Sequence, residues 1–156
     1  TAASEGLRGN SQVYWDRLLR KSRPVLGVAT DDSHSPGKDS GGGWVMVKAQ
    51  ALSAEAIVTA LRNGQFYFSA GPRIEDVHLD TEDKLHVRCS PVRAIRALST
   101  VGKVEHVIAS DRGTLTEAVI RWNWSGCPFL RVECTDVQGR TAWSQAALKI
   151  ERPTAR

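Results

Sequence analysis

Long apolar runs are absent from this sequence. No stretch approaches the ~20 residues a membrane-spanning helix needs, so no transmembrane segment is expected. Runs of one charge are absent as well: 21 Lys and Arg stand against 17 Asp and Glu, a net charge of +4. The pI of about 9.2 permits an anionic partner. The basic residues are scattered, however, which favours solvated faces over a nucleic-acid-binding stripe. Methionine is almost absent: Met46 is the single one and the chain begins at Thr1, so the expectation is a processed or partial chain in which no signal peptide can be read. Three cysteines, Cys89, Cys127 and Cys134, form no CxxC pair. They read as buried or free thiols, with a Cys127–Cys134 bridge as the competing reading. There is no internal repeat and no low-complexity tract.

What remains is globular. With 156 residues, 41% of them hydrophobic and 24% charged, the chain fits one ordinary domain or two very small ones. Residues 1–10 are small, polar and glycine-containing, and are expected to be poorly ordered. Ser11 can cap a helix reaching Lys21, with Tyr14, Trp15, Leu18 and Leu19 on one stripe. Pro24 then stops the helix and opens the apolar run Val25-Leu26-Gly27-Val28-Ala29, which reads as a buried strand ending in Thr30-Asp31-Asp32-Ser33-His34. A second strand is expected over 44–49. Next comes a helix capped by Ser53, carrying Ala54, Ile57, Val58 and Leu61 at helical spacing, and ended by Gly64. This alternation is the grammar of an α/β unit with parallel strands.

After the aromatic segment Phe66-Tyr67-Phe68-Ser69-Ala70-Gly71-Pro72 the grammar changes. Leu85/Val87/Cys89, Ala118/Ile120/Trp122/Trp124 and Leu130/Val132/Cys134 alternate with polar neighbours, the period of half-buried antiparallel strands. Gly102-Lys103, Asp111-Arg112-Gly113 and Gln138-Gly139 are turn signals between them. The fold class expected is α+β, divided near Gly71 into an α/β part, 1–71, and an antiparallel β part, 72–156. Two helices and two or three strands cannot cover both faces of a parallel sheet, so the α/β part needs further elements supplied from elsewhere.

Asp32 and His34 are the leading chemical candidates. Two apart on an extended backbone, they turn to the same side and offer a hard carboxylate oxygen and an imidazole nitrogen, the pair used by catalytic Zn, Mn or Fe sites. The bland alternative is a loop-ordering pair that hydrogen-bonds the backbone. Gly41-Gly42-Gly43, without Cβ atoms, lets backbone pass close to a ligand. Asp31 reads as a carboxylate orienting the His ring or a loop amide, or as plain loop solvation. Ser69 and Arg73 are candidates for holding an anionic phosphate, against a packing or turn role for both. Lys38 and Asp39 read as ordinary exposed charges, and Trp122, Trp124 and Trp143 as core rather than a stacking platform. His78 and His86 are placed in strands with outward polar faces, and His106 in a hairpin arm.

These residues carry a resemblance. The pattern from Trp15-Asp16 and Leu18-Leu19 through Val25 to His34, then Gly42-Gly43-Trp44-Val45-Met46-Val47, Ala56-Ile57, Ala60-Leu61, Gly64 and Tyr67-Phe68-Ser69-Ala70-Gly71-Pro72, resembles the C-terminal part of PHP-domain (polymerase and histidinol phosphatase) metal-dependent phosphoesterases, in particular their CehA/McbA-like branch. It covers roughly residues 11–80, with Gly139-Arg140-Thr141-Ala142-Trp143 a looser echo of that branch's β-rich extension. The resemblance implies the C-terminal fragment of a β/α barrel followed by an antiparallel β-sandwich-like extension. It implies a parent enzyme that hydrolyses small phosphoesters with a cluster of divalent metal ions (Zn, Mn or Fe), in which Asp32 and His34 match the last metal-binding motif, Asp-x-His. The family's opening His-x-His and its middle Glu and His ligands have no counterpart here. The implied partners are therefore the missing N-terminal half of the barrel or, with its apolar stripe left open, a second copy of the chain. On two donors the chain alone is expected to bind metal weakly or not at all, and to be inactive. The competing reading is a non-catalytic β-rich module that docks on a partner.

Overall fold

The computed structural model describes residues 11–35, 37–100, 104–109 and 113–148. Residues 1–10 and the turns at Gly102-Lys103 and Asp111-Arg112 lie outside them. Helix α1 (Gln12–Leu19) and helix α2 (Ala54–Arg62) are the two helices among the described residues. Around them run β1 (Trp44–Val47), β2 (Phe66–Ser69), β3 (Ile74–Leu79), β4 (Lys84–Val92), β5 (Ala94–Leu98), β6 (Val104–Ile108), β7 (Leu115–Arg121), β8 (Phe129–Thr135), β9 (Thr141–Trp143) and β10 (Ala147–Leu148). Among the described residues no helix is long and apolar enough to cross a membrane.

The sheets form a sandwich. A seven-stranded sheet runs β1-β2-β9-β8-β5-β6, with β10 paired to β8, and faces a three-stranded sheet ordered β3-β4-β7. Every strand pairing is antiparallel. Alternation along the strands makes the core: Leu85, Val87 and Cys89 of β4 and Ala118 and Ile120 of β7 meet Ile95 and Ala97 of β5 and Val132 and Cys134 of β8. Cys89, Cys127 and Cys134 are buried free thiols. The Cys127 thiol lies 3.3 Å from the Asn123 carbonyl oxygen and forms no bridge to Cys134. Trp122 is core, while Trp124 and Trp143 are half-buried.

The opposite face of the large sheet is covered by α1. Trp15 and Leu19 pack there on Phe68 and Phe129, with Val45, Trp143 and Leu148 around them. β8 is therefore buried on both faces, and Arg131 and Glu133, whose alternation suggested solvent, lie beneath the helix. Arg131 is only 2% exposed. It forks onto both Asp16 carboxylate oxygens at 2.8 and 3.0 Å, reaches Glu133 at 2.6 Å and stacks over Trp15 at 5.2 Å. Burial works against its charge, yet the bonds to Asp16 and Glu133 hold its pKa above the ordinary arginine value.

This architecture corrects the expected fragment of a β/α barrel. Of the described residues 39% are strand and 13% helix, and the sheets are antiparallel. The strand–helix–strand grammar of 44–69 misled for a topological reason. The six residues 48–53 carry the chain away from β1 and α2 brings it back, so β2 enters beside the end of β1 and runs antiparallel, Val47 opposite Phe66 and Trp44 opposite Ser69. β2 then pairs with β9, Phe68 opposite Trp143, so one sheet continues across the division placed near Gly71. The run 25–30 belongs to no ladder, and Val25, Leu26 and Val28 are 39%, 43% and 61% exposed rather than buried.

Candidate functional site

The candidate site is the loop that follows the 25–30 run. Two side chains hold the run against the large sheet where strand neighbours would otherwise stand. The Trp15 Nε1–H donates to the Val25 carbonyl at 2.8 Å. The Gln145 amide accepts from the Gly27 N–H at 2.9 Å and donates to the Gly27 carbonyl at 2.8 Å, imitating one rung of a ladder. The chain reaches Asp31 already positioned by contacts with α1 and the segment between β9 and β10.

Two carboxylates then build the loop. Asp31 accepts from the Gly41 N–H at 2.7 Å and the Gly43 N–H at 2.6 Å, which pinches the loop shut at its base. The closure is tight: a Cβ on Gly43 would stand 2.9 Å from the Thr30 carbonyl oxygen, so only glycine passes there. Asp39 accepts from the Ser33 hydroxyl at 2.8 Å, from the His34 N–H at 2.8 Å and from the Ser35 N–H at 2.9 and 3.1 Å. The Gly41 and Gly43 amides hold the Asp31 carboxyl below its ordinary pKa, and the His34 amide and Ser33 hydroxyl do the same for Asp39.

Asp32 and His34 are displayed by this frame. Asp32 takes a left-handed backbone, φ +53°, a conformation aspartate tolerates better than most residues. The extended geometry that would turn Asp32 and His34 to one side is therefore absent. A different link joins them: His34 Nδ1 lies 2.6 Å from the Asp32 carbonyl oxygen. A carbonyl only accepts, so Nδ1 carries the proton, and in the neutral ring Nε2 is left with its lone pair. Among the described residues the Asp32 carboxylate makes no hydrogen bond or ion pair, and both side chains are exposed.

The other candidates lie elsewhere. Ser69 is fully buried; its hydroxyl donates to the Pro72 carbonyl at 2.6 Å and accepts from the Gly71 N–H at 2.9 Å, which is a turn role. Arg73 is exposed beside a cleft to which no residue from 25 to 43 contributes. The structure thus gathers Asp31, Asp32 and His34 into one loop and leaves Ser69 and Arg73 outside it. His78 and His86 face each other across β3 and β4 with stacked rings 4.8 Å apart, bonded to Asp76 at 2.7 Å and Asp80 at 2.9 Å. His106 sits on β6. Among the described residues no group of three or more His, Cys, Asp and Glu is arranged to hold a metal ion. Asp39 and Gln145 are the organisers that sequence reasoning missed. Asp39 had a signal, an acceptor a few residues beyond Ser33-His34-Ser35 in a loop. Gln145 acts across 118 positions and had none.

Compared with protein-family models, curated proteins and solved structures, the chain finds no match.

Proposed function

We propose that the 31–43 loop presents one half of a divalent-metal site, and that this chain is the portion of a metal-dependent hydrolase of phosphoesters that supplies its final Asp-x-His donors. The observation that carries the reading is the His34 Nδ1 bond to the Asp32 carbonyl. Metal-binding histidines use one ring nitrogen for the ion and anchor the other to a carbonyl or carboxylate, which fixes tautomer and ring direction. Here the anchor is present, and among the described residues Nε2 is open and the carboxylate two residues away has no other engagement. The donor set suits Zn, Mn or Fe as half of a site; a hydrolytic centre needs three or more protein ligands, so the remaining donors come from another segment or chain.

In this reading Asp32 and His34 Nε2 hold the ion. Asp31 and Asp39 keep the loop in the shape that displays them, and Gly43 permits the close pass at its base. A divalent ion held there supplies Lewis acidity toward a phosphoester and makes water more acidic.

The test is Mn²⁺ titration of the chain followed by NMR. Selective broadening of His34 and Asp32 resonances, lost in His34→Ala, is expected. Broadening centred on His78 and His86 with His34 unaffected overturns the reading. The second reading, a non-catalytic β-rich module that docks on a partner, draws on the exposed apolar side chains of Val13, Tyr14, Val25, Leu26 and Val28. It is the reading left standing if the loop takes up no metal.

A further inference from the structure

A cleft of about 710 Å³ is lined by residues of the β1–β2 pair and of β3, a volume within the ~300–1,000 Å³ typical of small-molecule sites. Its lining is largely apolar, with Phe66, Ile74, Val77, Leu130 and Val132 contributing to it. Its charges are distributed unevenly. The carboxylates on β3 are engaged within their own sheet: Glu75 pairs with Arg88 at 3.3 Å and Asp76 bonds the His78 ring at 2.7 Å. Lys48 and Arg73 also line the cleft, and among the described residues neither makes an ion pair. Tyr67 also lines the cleft; burial raises the pKa of its phenol against the opposing pull of the Ile74 amide and the Arg73 charge.

We infer that this cleft binds an amphipathic organic anion, its apolar body between the β1–β2 pair and β3 and its carboxylate or phosphate head against Lys48 and Arg73. The apolar walls supply burial, and the two unengaged cations supply the sign of the head group. Arginine offers a planar fork to either kind of oxyanion, and lysine a point charge. The inference is independent of the metal reading, because no residue from 25 to 43 touches the cleft.

The experiment is a calorimetric titration of the full chain with dodecanoate, dodecyl phosphate and uncharged dodecanol. One-to-one binding of an anion is expected, with the preferred head group separating carboxylate from phosphate. Lys48→Glu and Arg73→Glu should each weaken it by about tenfold while leaving dodecanol binding unchanged. Both residues are exposed, so these variants fold, and their thermal melts check that they do. Absence of saturable anion binding overturns the inference, as does equal affinity for dodecanol. Unaltered affinity in the Lys48→Glu, Arg73→Glu double variant overturns it too.

Discussion

Asp16 and Arg131 stand 115 positions apart and join α1 to β8 through two parallel charge-assisted hydrogen bonds. The geometry is unequal: the arginine is 2% exposed while the aspartate side chain keeps 31% of its surface in water. Removing the aspartate strands a buried guanidinium on Glu133 alone. Asp16→Ala is expected to cost about 2 kcal/mol, less than the loss of the only partner of a buried charge because Glu133 remains. Urea unfolding checks this, as a lower midpoint at unchanged slope. An unchanged midpoint would mean that α1 is held by Trp15 and Leu19 alone.

Gly27 tests whether the 25–30 run is seated as described. A Cβ there would lie 2.6 and 2.7 Å from Phe68 ring carbons and 3.2 Å from Trp15. Those rings cannot swing away freely. Phe68 stacks on Trp143 at 5.3 Å and meets Trp15 edge-on at 5.5 Å. Gly27→Ala should destabilise the fold by roughly 1–3 kcal/mol, the range for overpacking. The near-ultraviolet dichroism of the Trp15 and Trp143 environment should shift with it. A variant of wild-type stability would show that the run lifts off the sheet at little cost.

How far the sequence revealed this fold differs by element, for physical reasons. α2 was legible because its signals are local: the Ser53 hydroxyl accepts from the Ala56 N–H at 3.2 Å and Gly64 takes φ +67° just past the end. The antiparallel strands of the second half were legible from period two. Other features turn on long-range pairing. Nothing local says that β2 will run antiparallel to β1, or that α1 will cover β8 and bury Arg131 and Glu133. The 25–30 run has a buried strand's composition, yet exposes Val28 because no strand lies beside it. In the candidate site Asp31, Asp32 and His34 were picked out by residue type and spacing, whereas the αL turn at Asp32 and the Gln145 clamp depend on the folded context.

Asp80 sets an acid limit on the smaller sheet. Its carboxylate accepts from the His86 ring at 2.9 Å and from the Lys84 and Glu82 amides at 2.9 and 2.8 Å, and these bonds lower its pKa from 3.8 to about 2. A depressed folded-state pKa contributes stability that is complete above 3.8 and is lost as pH falls through about 2. Acid unfolding of the wild type should therefore steepen in that window, and Asp80→Asn should flatten it while lowering stability at neutral pH. Identical acid limbs in the two proteins would show that the turn between β3 and β4 does not depend on the ionised carboxylate.

Asp31 and Asp32 are neighbours with opposite assignments, and their substitution separates loop building from ion holding. Asp31→Ala removes the acceptor of the Gly41 and Gly43 amides, whose hydrogen exchange should speed up by about tenfold while β8 amides are unaffected. Asp39→Ala should do the same to the His34 and Ser35 amides. Asp32→Asn keeps the carbonyl that anchors His34 and removes only a carboxylate that bonds nothing in the described chain, so exchange throughout the loop should stay at its wild-type rate. If the metal reading holds, Mn²⁺ broadening at His34 falls in all three variants, but amide exchange rises only in the Asp31 and Asp39 ones. Faster loop exchange in Asp32→Asn would make that carboxylate part of the frame and remove the reason for treating it as a ligand.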